Sequence, residues 1–254
     1  MADPRPSIAD RRRTFKQLHE GGCFVIPNPW DVGSARFLQG LGFKALATTS
    51  SGFAWSQGRP DNGISRDMAL AHLRDIVAAT DLPVNADFES GFAVDAAGVA
   101  ESVRLAVGTG VAGLSIEDST GDAVRPLYEL SVAVERIRAA RAAIDQTGGD
   151  TLLVGRAECF FVGRPDLGEA IERLKAYADA GADCLYAPGI RTREQITAVV
   201  AAVAPKPVNL LVGSTTDLTM QDISALGVRR VSVGGALARS AWGGFIRAAR
   251  LIAE

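Results

Sequence analysis

The sequence predicts a single domain of 254 residues, spanning 1–254, with the (β/α)₈ barrel architecture. Eight short apolar segments alternate with helical segments, as expected for parallel strands buried on both faces. Helix-to-strand junctions near residues 41, 109, 180 and 226 each place a glycine before an apolar run. Eight such units in about 250 residues is the usual size of this barrel. A doubly wound open sheet is the alternative, but no glycine-rich dinucleotide fingerprint follows the first strand.

The individual elements follow from the positions of glycine, proline and helix-capping residues. An opening helix ends at Gly21 and Gly22, and Ser65 caps the helix that follows a long loop over 49–63. Proline opens the third and seventh strands. The predicted helices span residues 6–20, 31–41, 66–80, 94–107, 130–146, 167–180, 193–203, 217–226 and 237–253. The predicted strands span residues 23–27, 43–48, 83–87, 112–117, 152–157, 184–187, 207–212 and 228–233.

Composition narrows the possible functions. A net charge of −2 provides no basic surface for nucleic acid or for an anionic membrane, so neither partner is expected. Cys23, Cys159 and Cys184 match no disulfide framework or CxxC metal spacing, which indicates a reducing compartment and predicts a cytoplasmic protein. His19 and His72 both lie within predicted helices, and His72 is distant in sequence from any strand end. The commonest general base is therefore not expected at the site.

Acidic residues follow two neighbouring strands at their C-terminal ends, where the active sites of these barrels lie. Asp87 and Glu89 follow strand three, and Glu117 and Asp118 follow strand four. Buried carboxylates are costly unless a cation lies between them, and Mg²⁺ is a hard cation that prefers oxygen ligands. The pattern predicts an Mg²⁺ site formed by Asp87, Glu89 and Glu117. Two alternatives stay open: Glu89 caps the next helix or pairs with an arginine, and Asp118 points to the opposite face in a structural role.

Polar residues at the other strand ends predict contacts with a substrate. Arg156, after strand five, has a fork-shaped guanidinium that suits a carboxylate, or it pairs with Glu158 inside the barrel. Thr49 and Ser50 begin a glycine-containing loop whose backbone N–H groups suit an anion. The remaining candidates for substrate contact are Trp30 after strand one and Asn209 on strand seven, and Asn209 has the alternative role of satisfying a strand end.

Five segments then carry a resemblance to a known group of enzymes. In order, these are TTSSGFAWSQGRPDNG, NADFESGF, AGLSIEDS, VGRAECF and KPVN. In this order and spacing they resemble the isocitrate lyase and phosphoenolpyruvate mutase superfamily, over nearly the whole chain. The resemblance implies an Mg²⁺-dependent barrel that breaks or forms C–C or P–C bonds next to a 2-oxo acid, through an enolate held by the metal. It also implies a homodimer or homotetramer.

The resemblance assigns roles residue by residue, and the chain departs from the pattern at two points. By this resemblance, Thr49 and Ser50 form the carboxylate-binding loop, and Asp61 is the acid of the gating segment. Asp87 and Glu117 are metal-shell acids, Arg156 is the substrate-binding arginine, and Asn209 is the strand-seven asparagine.

Asn85 stands where family members carry the first acid of an Asp-Ala-Asp pair, so either Glu89 supplies that charge or the metal is held less tightly. The loop over 119–126 lacks the cysteine that serves as general acid in the lyase branch, and also the lysine and asparagine of the phosphomutase branch. The proton donor is therefore unassigned.

The residues and the resemblance together predict a Mg²⁺-dependent lyase-type enzyme. It would cleave a C–C bond of a small 2-oxo or 2-hydroxy mono- or dicarboxylic acid, with Asp61, Arg156 and Asn209 as catalytic residues. One alternative is P–C chemistry, as in phosphonopyruvate hydrolysis or phosphoenolpyruvate mutation. The other is a barrel that binds an oxo acid without catalysis.

Overall fold

The computed structural model describes residues 5–253, and its eight parallel strands form a nearly closed barrel. The strand order is β1-β8-β7-β6-β5-β4-β3-β2, and Ala47 N donates a hydrogen bond of 3.0 Å to Pro27 O between β2 and the end of β1. The predicted (β/α)₈ architecture is confirmed. The strands are β1 Phe24–Ile26, β2 Leu46–Ala47, β3 Val84–Asp87, β4 Gly113–Glu117, β5 Leu152–Arg156, β6 Cys184–Tyr186, β7 Val208–Leu211 and β8 Arg230–Ser232.

Ten helices in the described chain surround the strands or cover the ends of the barrel. They are α1 Ile8–Glu20, α2 Val32–Gly40, α3 Ser50–Ser56, α4 Arg66–Ala79, α5 Ala96–Val107, α6 Leu130–Gln146, α7 Leu167–Asp179, α8 Arg193–Val203, α9 Met220–Ala225 and α10 Ala236–Ala253. Most predicted elements are present and are shorter by one to four residues at their ends, where hydrogen bonding stops before the apolar pattern does.

Helix α3 is the main correction to the predicted elements, because its residues were expected to form part of a long loop. Thr49 caps this helix through its side-chain oxygen, which accepts a hydrogen bond of 3.3 Å from Gly52 N. The run of Thr, Ser and Gly resembles a turn in sequence, but here it is the start of a helix. As a result, Ser50 is held rigidly at the end of β2, at the rim of the barrel.

The N-terminal end of the barrel is closed by α1. Phe15 from this helix is fully buried against Ile26, Ala47 and Leu152. A Cβ atom added to Gly113 would lie 2.7 Å from Phe15 Cε1, so only glycine leaves room for this ring. The barrel is therefore packed from below, and its opposite end, where the strands finish, is available for a site.

Asp118 lies outside the barrel interior and ties α7 to the strand ends, in agreement with the expected structural role. Its Oδ2 accepts hydrogen bonds from Tyr177 Oη at 2.6 Å and Arg173 Nη1 at 3.2 Å. Its Oδ1 accepts from Glu158 N at 2.8 Å. Among residues 5–253, no helix has the length and apolar character needed to cross a bilayer.

Candidate active site

A cavity of about 960 Å³ opens at the C-terminal ends of the strands. Six of the predicted site residues line it: Thr49, Ser50, Asp61, Asp87, Glu117 and Arg156. Trp30, Glu89 and Asn209 are not among the residues of the described chain that line it. Six of the nine residues predicted from the strand ends therefore line one cavity, and the other three do not line it.

Arg156 is the centre of the cavity's charged groups. Its Nη1 lies 3.2 Å from Asp87 Oδ1 and 3.2 Å from Glu117 Oε2, and its Nε donates to Glu158 Oε1. Burial acts to lower the pKa of Arg156, but the charges of Glu117 and Glu158 outweigh it and hold this pKa well above its usual value. The guanidinium is thus a fixed cation, and its predicted ion pair with Glu158 is present.

Asp87 is held from two sides. Ser50 donates to Asp87 Oδ2 through both its backbone N and its Oγ, each at 2.9 Å, and Arg156 contacts Oδ1. The backbone N of Asp87 donates to Thr48 Oγ1 at 2.9 Å. The start of α3 was predicted to receive a substrate carboxylate, but in this structure the donors of Ser50 are directed to Asp87. Ser50 therefore orients a carboxylate of the protein.

Negative charge exceeds positive charge around Arg156. Burial raises the pKa of Glu117 well above its usual value, even though Arg156 opposes the shift. Partial desolvation at the cavity mouth raises the pKa of Asp61, and the charge of Asp87 adds to it. Burial, together with Asp87 and Asp61, raises the pKa of Glu89 to about 8. Each of these shifts indicates a place where an added cation is electrostatically favoured.

The donor chemistry of this cluster fits a hard divalent ion. Asp87 and Glu117 both contact one nitrogen of Arg156, so their carboxylates lie close enough to share an ion and its waters. Glu89 Oε1 is buried and has no hydrogen-bond partner in the described chain. Within residues 5–253, no three His, Cys, Asp or Glu side chains converge into a ready-made metal cage. Mg²⁺ commonly uses only one or two protein carboxylates and keeps several waters, so the residues present suit it.

The shifted pKa of Glu89 predicts a pH-dependent stability in metal-free protein. The folded-state pKa of about 8 lies above the ordinary 4.5, so the folded protein binds the proton more tightly between these values. The free energy of unfolding should therefore fall as pH rises through this window, by at most about 1.4 kcal/mol per pH unit from this group. Glu89→Gln should reduce that slope in urea unfolding with EDTA. Glu135→Gln, on the exposed side of α6, should leave it unchanged; equal slopes in all three proteins would contradict this account.

Glu89 and Trp30 have positions that sequence reasoning did not anticipate. Glu89 has a φ of 49°, in the left-handed region, as the chain turns away after β3. Its side chain is buried and does not line the cavity of the described chain. Trp30 packs its Cβ against the start of α3, where a Cβ at Gly52 would lie 3.0 Å away. Trp30 thus supports the helix that carries Ser50.

Asn209 is fully buried and is occupied by neighbouring side chains. Its Oδ1 accepts from Arg230 Nε at 2.8 Å, and its Nδ2 donates to Ser232 Oγ at 3.0 Å. The amide of Asn209 thus contacts Arg230, which does line the cavity, and a direct contact of Asn209 with the substrate stays a prediction. Sequence reasoning missed Arg230, and the available signal was an arginine inside the apolar run of β8.

Comparison with known proteins agrees with this geometry. The sequence profile of the family described as phosphoenolpyruvate phosphomutase matches residues 15–253. The chain belongs to this family. A related oxaloacetate decarboxylase from Rhodopseudomonas palustris (strain BisB18) is 30% identical over 234 residues, which cover 89% of this chain and 78% of that protein. The predicted membership of the isocitrate lyase and phosphoenolpyruvate mutase superfamily is confirmed.

Solved structures of the superfamily share the whole barrel. One, from Burkholderia cenocepacia J2315 and provisionally named a lyase/mutase, has a TM-score of 0.93 and 51% identity, covering 96% of this chain and 88% of that one. A 2,3-dimethylmalate lyase, described as a superfamily member, has a TM-score of 0.87 and 26% identity, covering 98% of this chain and 88% of that one. The homologous proteins are thus lyases and mutases built on this fold.

Proposed function

We propose that this protein is a Mg²⁺-dependent lyase that cleaves a C–C bond of a small 2-oxo or 2-hydroxy dicarboxylic acid. The observation that carries the proposal is the group of acids around Arg156, in which Asp87 and Glu117 contact the same nitrogen atom. Related proteins named for oxaloacetate and 2,3-dimethylmalate support this substrate class, because both compounds carry two carboxylates and an oxygen on the carbon next to one of them.

Asp87 and Glu117 would hold the metal, and Glu89 would add negative charge behind them. When bound, Mg²⁺ would supply Lewis-acid stabilisation of the negative charge that develops on the 2-oxo group. The protein's own residues do the remaining work. Ser50 fixes the orientation of Asp87, and Asn209 fixes Arg230 in the wall of the cavity.

Arg156 and Asp61 are the proposed catalytic side chains that reach the cavity. Arg156 contacts Glu158 through Nε, and it contacts Asp87 and Glu117 through Nη1. Its Nη2 forms no hydrogen bond within the described chain, so Nη2 is available to a substrate carboxylate. Asp61 lies on the segment between α3 and α4 at the cavity mouth, where burial and the charge of Asp87 raise its pKa, and it is the proposed group that exchanges a proton with the substrate. The loop over 119–126 supplies neither cysteine nor lysine.

A screen for released pyruvate tests this proposal. Purified protein with Mg²⁺ is incubated with oxaloacetate, 2,3-dimethylmalate and phosphonopyruvate, and pyruvate is followed by a coupled assay. We expect turnover of one of the two dicarboxylic acids above the rate without protein, and its loss in EDTA. Turnover of phosphonopyruvate alone would favour the P–C alternative, for which the family name is the supporting observation. Binding of these acids without any turnover would favour the non-catalytic barrel.

A homodimer or homotetramer is proposed from the surface of α10. Of the 18 residues of this helix, only Ala238 is buried. Its exposed large apolar side chains are Trp242, Phe245, Ile246, Leu251 and Ile252. Apolar surface of this kind is typically covered by another protein surface, and a second copy of the chain is the proposed cover. Light scattering should give a mass at least twice the 26.6 kDa of one chain; a mass of one chain would rule out the assembly.

A further inference from the structure

A second arginine lies deep in the cavity and has no acidic partner within the described chain. Arg230, on β8, is only 2% exposed and lines the cavity wall. Among residues 5–253 it forms no ion pair, unlike Arg156, which contacts three carboxylates. Its two hydrogen-bond acceptors are neutral amide oxygens, Asn209 Oδ1 at 2.8 Å and Asn85 Oδ1 at 3.3 Å.

These two asparagines fix the guanidinium and leave one of its nitrogens unused. Asn209 Oδ1 accepts a hydrogen bond from Nε, and Asn85 Oδ1 accepts one from Nη1. Nη2 forms no hydrogen bond within the described residues. Nη2 is not one of the fully buried side-chain atoms that lack a partner within residues 5–253. Part of its surface therefore faces open space. The arginine is therefore held in place with free donor capacity.

The wall around Arg230 leaves room for a small ligand. Ala47, Ser115 and Ser232 line the same cavity, and all three have small side chains. Asn209 and Arg230 are paired in register across β7 and β8, and Asn85, which accepts from Arg230, lies two residues before Asp87 on β3. The cavity thus extends from the acids at its mouth into the upper part of the barrel.

An unpaired charge in this position is costly by itself. Removing a cation from water without a counter-charge is unfavourable. Burial accordingly lowers the pKa of Arg230. An aspartate at position 85 would supply the missing charge, but the chain has Asn85 there. The protein leaves this cation uncompensated next to an open cavity, and a bound anion would compensate it.

We propose that Arg230 binds a carboxylate of the substrate at the floor of the cavity, separately from Arg156. This site would select acids with two carboxylates, one for each arginine. The assignment of the anion to the substrate rests on the proposed function, whereas anion binding at Arg230 does not. Asn85 and Asn209 are then positioning residues that hold the guanidinium while leaving its charge available.

The test compares the binding of malonate and acetate by calorimetry, with EDTA and again with excess Mg²⁺. Three variants are used: Arg230→Gln, Asn85→Asp and Arg229→Gln. Asn85→Asp keeps the arginine but places a carboxylate beside its Nη1, so it remains informative if Arg230→Gln fails to fold. Arg229 is the adjacent arginine, which donates to Gly22 O on the outside of the barrel, and its variant is the matched control.

We expect wild-type protein and Arg229→Gln to bind malonate at least about tenfold more tightly than acetate, a difference of about 1.4 kcal/mol. Arg230→Gln and Asn85→Asp should lose this preference. Unchanged malonate binding in either folded variant, or no preference for malonate in wild-type protein under both conditions, would overturn the proposal. The proposed function can fail while anion binding at Arg230 holds. In that case malonate binding would depend on Arg230, but the protein would release no pyruvate.

Discussion

Replacing Asp87 with asparagine is expected to lower Mg²⁺-dependent turnover by about 10²- to 10³-fold, the usual cost of removing a group that stabilises developing charge. Asparagine has nearly the same shape and retains an oxygen for Ser50, so the fold should survive. It lacks the negative charge that a divalent ion requires from one of only two proposed carboxylate ligands. Steady-state assays over a range of Mg²⁺ concentrations measure the effect on kcat and on the metal requirement.

Asp67→Asn is the matched control for this substitution. Asp67 lies in the first turn of α4, and its side chain is 90% exposed, so the same chemical change there should leave turnover unaffected. Full activity of Asp87→Asn with an unchanged Mg²⁺ requirement would show that the metal is held elsewhere. A thermal melting curve for each variant separates loss of chemistry from loss of structure.

The second large effect is expected on stability, at Asp118. Asp118→Ala should reduce the free energy of unfolding by about 3 kcal/mol or more, because it leaves buried donors without an acceptor. Those donors are Tyr177 Oη and the backbone N of Glu158, and Arg173 Nη1 loses one of its two acceptors while keeping Tyr128 O. Urea unfolding at neutral pH measures the change.

Two further variants make the Asp118 result interpretable. Glu101→Ala removes an exposed ion pair with Arg104 and should change stability little, because water screens such pairs. Asp118→Asn retains one acceptor oxygen and should lie between wild-type protein and the alanine variant. A loss no larger for Asp118→Ala than for Glu101→Ala would contradict the structural role assigned to Asp118.

Sequence reasoning identified the barrel and the charged rim because both follow from short-range patterns. Alternation of apolar strands with helices fixes the architecture, and parallel strands bring their C-terminal ends to the same rim. Asp87, Glu117 and Arg156 therefore could be placed together before any coordinates were known. The outward direction of Asp118 followed from the alternation of side chains along a strand.

The hydrogen-bond partners of the site residues could not be predicted, because they depend on contacts between distant parts of the chain. Asn209 was predicted to touch the substrate, but its amide is occupied by Arg230, which no local pattern connects to it. The donors of Ser50 are directed to Asp87, 37 residues further along the chain. Arg230 resembled any charged residue near a helix-to-strand junction. Only the barrel interior shows that no acidic residue of the described chain pairs with it.

The most direct test of the metal assignment is calorimetric titration of Mg²⁺ into chelator-treated protein. We predict one Mg²⁺ site per chain in wild-type protein, with affinity at least about tenfold weaker in both Asp87→Asn and Glu117→Gln. Binding of equal strength in wild-type protein and both variants, or no binding to wild-type protein, would contradict the assignment of these two carboxylates as metal ligands.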